Sequence, residues 1–158
     1  MSQTIIERAT PDDLDVLEPL FEAYRAFYRL EPRTADARTF LTRRLASGDS
    51  TILIARLRGT NETVGFVQLY RSLSSLALAT VWILNDLYVK PDVRGHGVGR
   101  QLMLAAHQLA LDTAAVRVEL ETAPDNLPAR MLYESLGYRS SGEMLHYSLV
   151  VNENAPVA

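Results

Sequence analysis

Hydrophobic and polar positions along the chain follow two periods, and the changes from one to the other mark the elements. Thr4-Ile5-Ile6-Glu7-Arg8-Ala9 reads as a short strand. Thr10, Pro11 and the acidic pair Asp12 and Asp13 then form a helix start: a capping residue, a proline whose missing N–H costs nothing there, and negative charge at the positive end of the dipole. Leu14, Leu17, Leu20, Phe21, Tyr24, Phe27 and Tyr28 recur at helical spacing, and Pro19 is expected to kink or divide that helix. After a break at Glu31-Pro32-Arg33, a second helix is expected from a Thr34 cap to Gly48, carrying Phe40, Leu41 and Leu45.

The pattern then turns to β. Runs at 50–58, 63–70 and 80–89 are separated by Gly59-Thr60-Asn61 and by a serine-rich connection at 72–75, and predict three strands of an antiparallel meander, with Gly65 inside the second. Pro91 ends the third. A helix is expected over 97–113, with Val98, Leu102, Ala105, Ala106 and Leu109 on one face, followed by a strand at 116–120. A strand, a helix and a further strand make a β-α-β crossover, which requires parallel pairing. A short helix at 128–136 closes at Gly137, a last strand is expected at 145–151, and 152–158 reads as a loose tail. The elements predict a single mixed α/β domain over 1–158, with a central, mostly antiparallel mixed sheet flanked by helices.

Composition narrows the classes. A chain of 158 residues suits one core, and 47% hydrophobic with 22% charged residues is ordinary globular usage, against a disordered or fibrous chain. A net charge of −3 gives no basic face for a nucleic acid. The absence of cysteine excludes disulfides, thiolate metal sites and a cysteine nucleophile. No His, Asp or Glu cluster has metal-ligand spacing, so no metal is expected. No apolar run approaches the roughly 20 residues of a membrane helix, and no basic-then-apolar leader opens the chain. A cytoplasmic protein without membrane or nucleic-acid partners is the expectation.

The chemistry concentrates at Arg94-Gly95-His96-Gly97-Val98-Gly99-Arg100, between an apolar strand and an amphipathic helix. Glycine there allows positive φ and close backbone approach to a ligand. The first N–H groups of the helix have no partner within it, and with the helix dipole they suit a phosphate or pyrophosphate. No Gly-Lys-Ser/Thr closes the turn, so it is not a P-loop, and glycines at 95, 97 and 99 do not make Gly-x-Gly-x-x-Gly.

The turn resembles the acetyl-CoA signature of the GNAT acetyltransferase superfamily, (Gln/Arg)-x-x-Gly-x-(Gly/Ala), here Arg94-Gly95-His96-Gly97-Val98-Gly99. The stretch from Asn126 through Ala129 and Tyr133 to Gly137 and Tyr138 resembles the second block of that family, Asn-x-x-Ala-x-x-x-Tyr-x-x-x-Gly. The resemblance implies a GNAT fold with a β-α-β acetyl-CoA-binding core and direct acetyl transfer from acetyl-CoA to an amine, with a small-molecule acceptor such as a polyamine or amino acid. It implies cofactor contacts from Leu87, Tyr88 and Val89, from residues 94–100 and from Asn126 and Tyr133, with the N–H of Leu87 on the thioester carbonyl and Tyr133 as the acid for the departing thiolate.

Leu84-Asn85-Asp86-Leu87-Tyr88-Val89 resembles the Leu-Glu-Asp stretch of polyamine acetyltransferases, with Asn85 where those have a glutamate. Asn cannot accept a proton, which leaves Asp86 as base, as amine binder or as a structural hydrogen-bond partner. Tyr24, Tyr28 and Arg29, near the end of the first long helix, are the further acceptor-site candidates, and Arg29 or Arg33 could pair with a substrate carboxylate. Two alternatives stay open, a protein lysine or N-terminal acetyltransferase and a non-catalytic acyl-CoA-binding module. The resemblance also allows a homodimer, with the strand at 145–151 pairing across an interface.

Overall fold

Five strands form one sheet in the order β1-β2-β3-β4-β5 in the computed structural model, which describes residues 4–142 and 145–158. They are β1 (Thr4–Arg8), β2 (Ser50–Leu57), β3 (Thr63–Ser74), β4 (Ala79–Val89) and β5 (Arg117–Glu119). The pairs β1–β2, β2–β3 and β3–β4 are antiparallel, and β4–β5 is parallel. This is the mixed, mostly antiparallel sheet expected from the short turns of the meander and from the helix between the last two strands. The chain packs as two compact units, Met1–Glu121 and Thr122–Ala158.

In the first unit, helices α1 (Leu14–Phe27) and α2 (Thr34–Ser47) cover one face of the sheet. Leu17, Leu20, Phe21, Ala37 and Leu41 from the helices pack with Ile52, Ile54, Phe66 and Tyr88 from the strands. Helix α3 (Val98–Asp112) lies on the opposite face, burying Val98, Leu102, Met103 and Ala106. Gly65 is where that layer comes closest: a Cβ there would stand 2.8 Å from the Tyr88 carbonyl oxygen and 3.3 Å from Leu102. Near β1, Arg56 pairs with Glu7 and Asp13 and donates to Thr63 Oγ1.

The local signals act largely as expected. Thr10 N–H donates to Asp13 at 2.8 Å, fixing a 3-10 turn at Pro11–Asp13 that leads into α1. Helix α1 is not divided at Pro19, because that residue falls in its second turn, where the only backbone bond forgone is the one to Asp15. Arg33 rather than Thr34 is the capping residue of α2, and Gly48 ends that helix at φ 67°.

The second unit holds α4 (Leu127–Ser135), and Gly137 follows its end at φ 92°. The strand expected at 145–151 is not formed. Leu145, Tyr147, Leu149 and Val151 alternate as a strand face would, yet they stay exposed and no strand pairs with them among the described residues. A strand exists only as part of a ladder, and side-chain alternation without a partner does not make one.

Candidate active site

The site in the first unit is organised by an irregularity in β4. Gln68 of β3 stands opposite Asp86, while the next residue, Leu69, stands opposite Leu84. Asn85 is therefore an extra residue, a β-bulge that reverses the side-chain alternation of β4. Beyond it Asp86 and Tyr88 share the α1–α2 face with Gln68 and Phe66, while Leu84 turns with Leu69 to the other face.

Asp86 is buried, at 7% exposure, in this position. Its Oδ2 accepts from Gln68 Nε2 at 2.8 Å and its Oδ1 from Asn85 Nδ2 at 3.1 Å. Gln68 Oε1 in turn accepts from the Ser50 hydroxyl at 2.9 Å. No Lys or Arg pairs with Asp86 among the described residues. Nearby, burial and the negative charge of Asp86 push the Tyr70 hydroxyl up to about 12, with Arg44 offsetting part of the rise, so Tyr70 stays a neutral donor. Arg44 itself pairs with Asp49 at 2.9 Å.

The same bend leaves an edge of β4 open. β5 reaches β4 at Val81, Trp82 and Ile83. Lys90 N–H donates to Val64 O of β3, so by alternation the N–H groups of Tyr88 and Asp86 face β3 while those of Leu87 and Val89 face away from it. Extended backbone with outward N–H and C=O groups is a place for another amide chain to add as a strand.

Next to this edge the chain turns through Pro91–Val93 and the glycine loop into α3. Gly95 and Gly97 sit at φ 79° and 83°, and a Cβ built on either meets nothing within 4 Å. Their requirement for glycine comes from the backbone conformation, and the space around them is open to a ligand. The first intrahelical bond of α3 runs from Gln101 N–H to Gly97 O, so the first turn directs its N–H groups into the loop. His96 and Arg100 are exposed there, and the His96 Nδ1 lies 2.9 Å from Arg94 O. Arg94 folds back on the strand: its Nε donates to Val89 O at 2.8 Å, and its guanidinium lies 5.6 Å from the Tyr88 ring and 5.7 Å from that of Phe27.

Tyr24 and Tyr28 line the same region from α1. Their rings meet edge to face at 5.1 Å, and Tyr24 also meets Phe66 at 5.8 Å. Tyr28 is half exposed, and Arg29 is exposed with φ 59° at the end of the helix. Arg33 pairs with Asp36 at 2.6 Å, three residues on, with both side chains exposed. The structure thus groups Tyr24, Tyr28, Asn85, Asp86, Leu87, Tyr88, Val89 and residues 94–100 in one unit. Sequence reasoning missed Gln68, Ser50 and Phe27 as parts of it. The signal for Gln68 was present, an amide inside the buried run Phe66-Val67-Gln68-Leu69.

Asn126 and Tyr133 belong to the second unit. Asn126 precedes α4 and accepts Arg130 N–H on its backbone carbonyl, without a side-chain cap. Tyr133 is half-buried on α4, its ring 6.0 Å from that of Tyr138. Burial and the neighbouring Tyr133 push the Tyr138 hydroxyl up to about 12.

A mixed sheet flanked by helices, with an open strand edge beside a glycine loop at a helix N-terminus, defines an α/β architecture whose family the comparisons with known proteins give. Residues 17–138 match the model of the acetyltransferase (GNAT) family, a match that runs through both units. An N-acetyltransferase of Bacillus subtilis, YhfO, whose role is uncharacterised, is 40% identical over 92% of this chain and 97% of its own. The crystal structure of a probable acetyltransferase superposes with a TM-score of 0.88 at 41% identity, covering 94% of this chain and 99% of that one. A bovine thialysine N-epsilon-acetyltransferase is 34% identical over 47% of this chain and 43% of its own. The chain belongs to the acetyltransferase (GNAT) family and is an acetyltransferase.

No helix among the described residues is long and apolar enough to cross a membrane. No group of three or more His, Asp or Glu among them could hold a metal ion.

Proposed function

We propose that this enzyme moves the acetyl group of acetyl-CoA directly to a primary amine of a small molecule, with Asp86 receiving the charge and the proton of that amine. The observation that carries the reading is the environment of Asp86, a buried carboxylate held by two neutral amides and paired with no cation among the described residues. A buried carboxylate is costly without a compensating positive charge, and an incoming ammonium supplies one. Tyr24, Phe66 and Tyr88, on the same face, give that ammonium an aromatic wall.

The residues present fit acetyl-CoA. The open, positive-φ loop at Gly95 and Gly97 and the first turn of α3 suit its pyrophosphate, and the outward edge at Leu87–Val89 suits its pantetheine amides. When bound, it supplies an activated acetyl thioester. The Leu87 N–H, which faces away from β3, would donate to the thioester carbonyl oxygen as that oxygen gains charge. An alkylammonium titrates near 10, so it must lose a proton before attack, and Asp86 takes it directly or through a water. As the new N–C bond forms and the C–S bond breaks, the nitrogen gives up its second proton to solvent, and the sulfur leaves with its electron pair and takes a proton, for which Tyr133, reprotonated from solvent, is the family-matched donor. The name of the bovine relative, which places the acetyl group on the ε-amine of thialysine, supports a small acceptor with a side-chain amine.

The test is CoA release from acetyl-CoA against polyamines, amino acids including thialysine, aminoglycosides, arylamines and lysine peptides, with Asp86→Asn alongside. Turnover with one class of small amine, lost in the variant, is the expected result. Turnover with lysine peptides alone would overturn the small-molecule acceptor, and full turnover in Asp86→Asn would overturn the role of that carboxylate.

A further inference from the structure

Gln68 is 1% exposed, one of the most deeply buried side chains of the molecule, and it is an amide among Phe66, Val67 and Leu69. Burying an amide is costly unless its hydrogen bonds are replaced. Here they are replaced along one line across the sheet. Ser50 of β2 donates to Gln68 Oε1 at 2.9 Å, and Gln68 Nε2 donates to Asp86 Oδ2 at 2.8 Å. Ser50 lies diagonal to Gln68, two residues from its direct partner Ile52, whereas Asp86 lies directly opposite. The carboxylate only accepts and so fixes the NH2 end of the amide toward itself, and the Ser50 hydroxyl donates to the oxygen at the other end.

We infer that Gln68, held in turn by Ser50, is a positioning residue for Asp86: it fixes the orientation of the carboxylate and turns it toward the acceptor amine. This rests on the reading of Asp86 given above. The mechanism is an N–H donor that stabilises the ionised carboxylate more than the acid. Among the described residues, the charged or titratable groups around this face include Tyr88 of β4, Tyr70 of β3, which interacts with Asp86, Arg44 of α2 and Asp49 before β2, which interact with Tyr70, and Tyr24 of α1. None of them stands between Gln68 and Asp86.

The experiment follows the 13C carboxyl shift of Asp86 against pH in aspartate-labelled protein, the signal being identified by its loss in Asp86→Asn. Thialysine turnover is measured on the same samples. In Gln68→Met the midpoint should rise by about one pH unit, the worth of one hydrogen bond to a charged group. kcat/KM for thialysine should fall about tenfold at unchanged KM for acetyl-CoA. Gln68→Glu, which sets two carboxyls opposite each other, should raise the midpoint further. Ser50→Ala should shift it in the same direction by less, and it decides the matter if neither Gln68 variant folds. A wild-type midpoint in folded Gln68→Met, or in Ser50→Ala where that variant decides, overturns the inference. If Asp86→Asn is inactive while the midpoint in Gln68→Met is unmoved, this inference alone fails. If Asp86→Asn turns over thialysine fully, the reading of Asp86 fails first.

Discussion

Arg94 holds its guanidinium 5.7 Å from the ring of Phe27, so the residue that opens the glycine loop is tied to the end of α1. Tyr88 flanks the same guanidinium at 5.6 Å, and the Val89 carbonyl accepts from its Nε. Phe27 is half exposed and contributes little to the core, and its ring also meets that of Tyr28 at 5.2 Å. A cation–π contact at an exposed site is worth about 0.5–1 kcal/mol. Phe27→Ala should therefore raise KM for acetyl-CoA about two- to fivefold, with a melting temperature close to wild type. An unchanged KM would show that the loop does not need the helix.

The glycine loop offers a sharper test, because Gly97 combines positive φ with empty space. An alanine there meets no neighbour, so its whole penalty is conformational, about 1–2 kcal/mol for a left-handed backbone. Gly97→Ala should weaken acetyl-CoA binding about tenfold in calorimetry as the loop relaxes. Gly59→Ala, in the β2–β3 turn at ordinary φ with equally open space, should leave binding unchanged. Equal affinity in both variants would remove the loop from the cofactor site.

Much of this arrangement was legible because it is local. Gly48, Gly97 and Gly137 mark helix ends through their own backbone angles, and the apolar face of α3 repeats within its own length. The loop at 94–100 and the block at 126–138 announce themselves as contiguous motifs. What was not legible depends on register. The bulge at Asn85 exists only relative to β3, and it decides that Asp86 faces Gln68 instead of α3. The Phe27–Arg94 contact joins residues far apart in sequence, with no pattern linking them. The apolar alternation at 145–151 shows the converse, a local signal that lacks the pairing it needs.

Stability should carry a pH signature from α3. Burial holds His107 below the usual imidazole range. Between that depressed folded value and the unfolded value of about 6.5 the unfolded chain binds more protons, so protonation there favours unfolding. The contribution of His107 is thus fully present above about pH 6.5 and is lost as the pH falls through the folded value. Urea denaturation of wild type and His107→Gln across pH 5 to 7.5 should show a flatter decline in the variant toward low pH. Parallel declines would mean that other groups carry the acid sensitivity.

The role proposed for Tyr133 can be separated from its packing. Its ring lies 6.0 Å from that of Tyr138, and phenylalanine at 133 keeps that contact while deleting the hydroxyl. If the hydroxyl protonates the departing sulfur, Tyr133→Phe should lower kcat about a hundredfold or more, the usual worth of a general acid. KM for acetyl-CoA and the melting temperature should move little. Tyr138 is the internal control: its hydroxyl, raised to about 12, belongs to the same unit and is half-buried. Tyr138→Phe should keep wild-type kcat if the chemistry belongs to Tyr133 alone. A loss of similar size in both variants would point to a packing role for the tyrosine pair, and wild-type turnover in Tyr133→Phe would assign the proton to solvent.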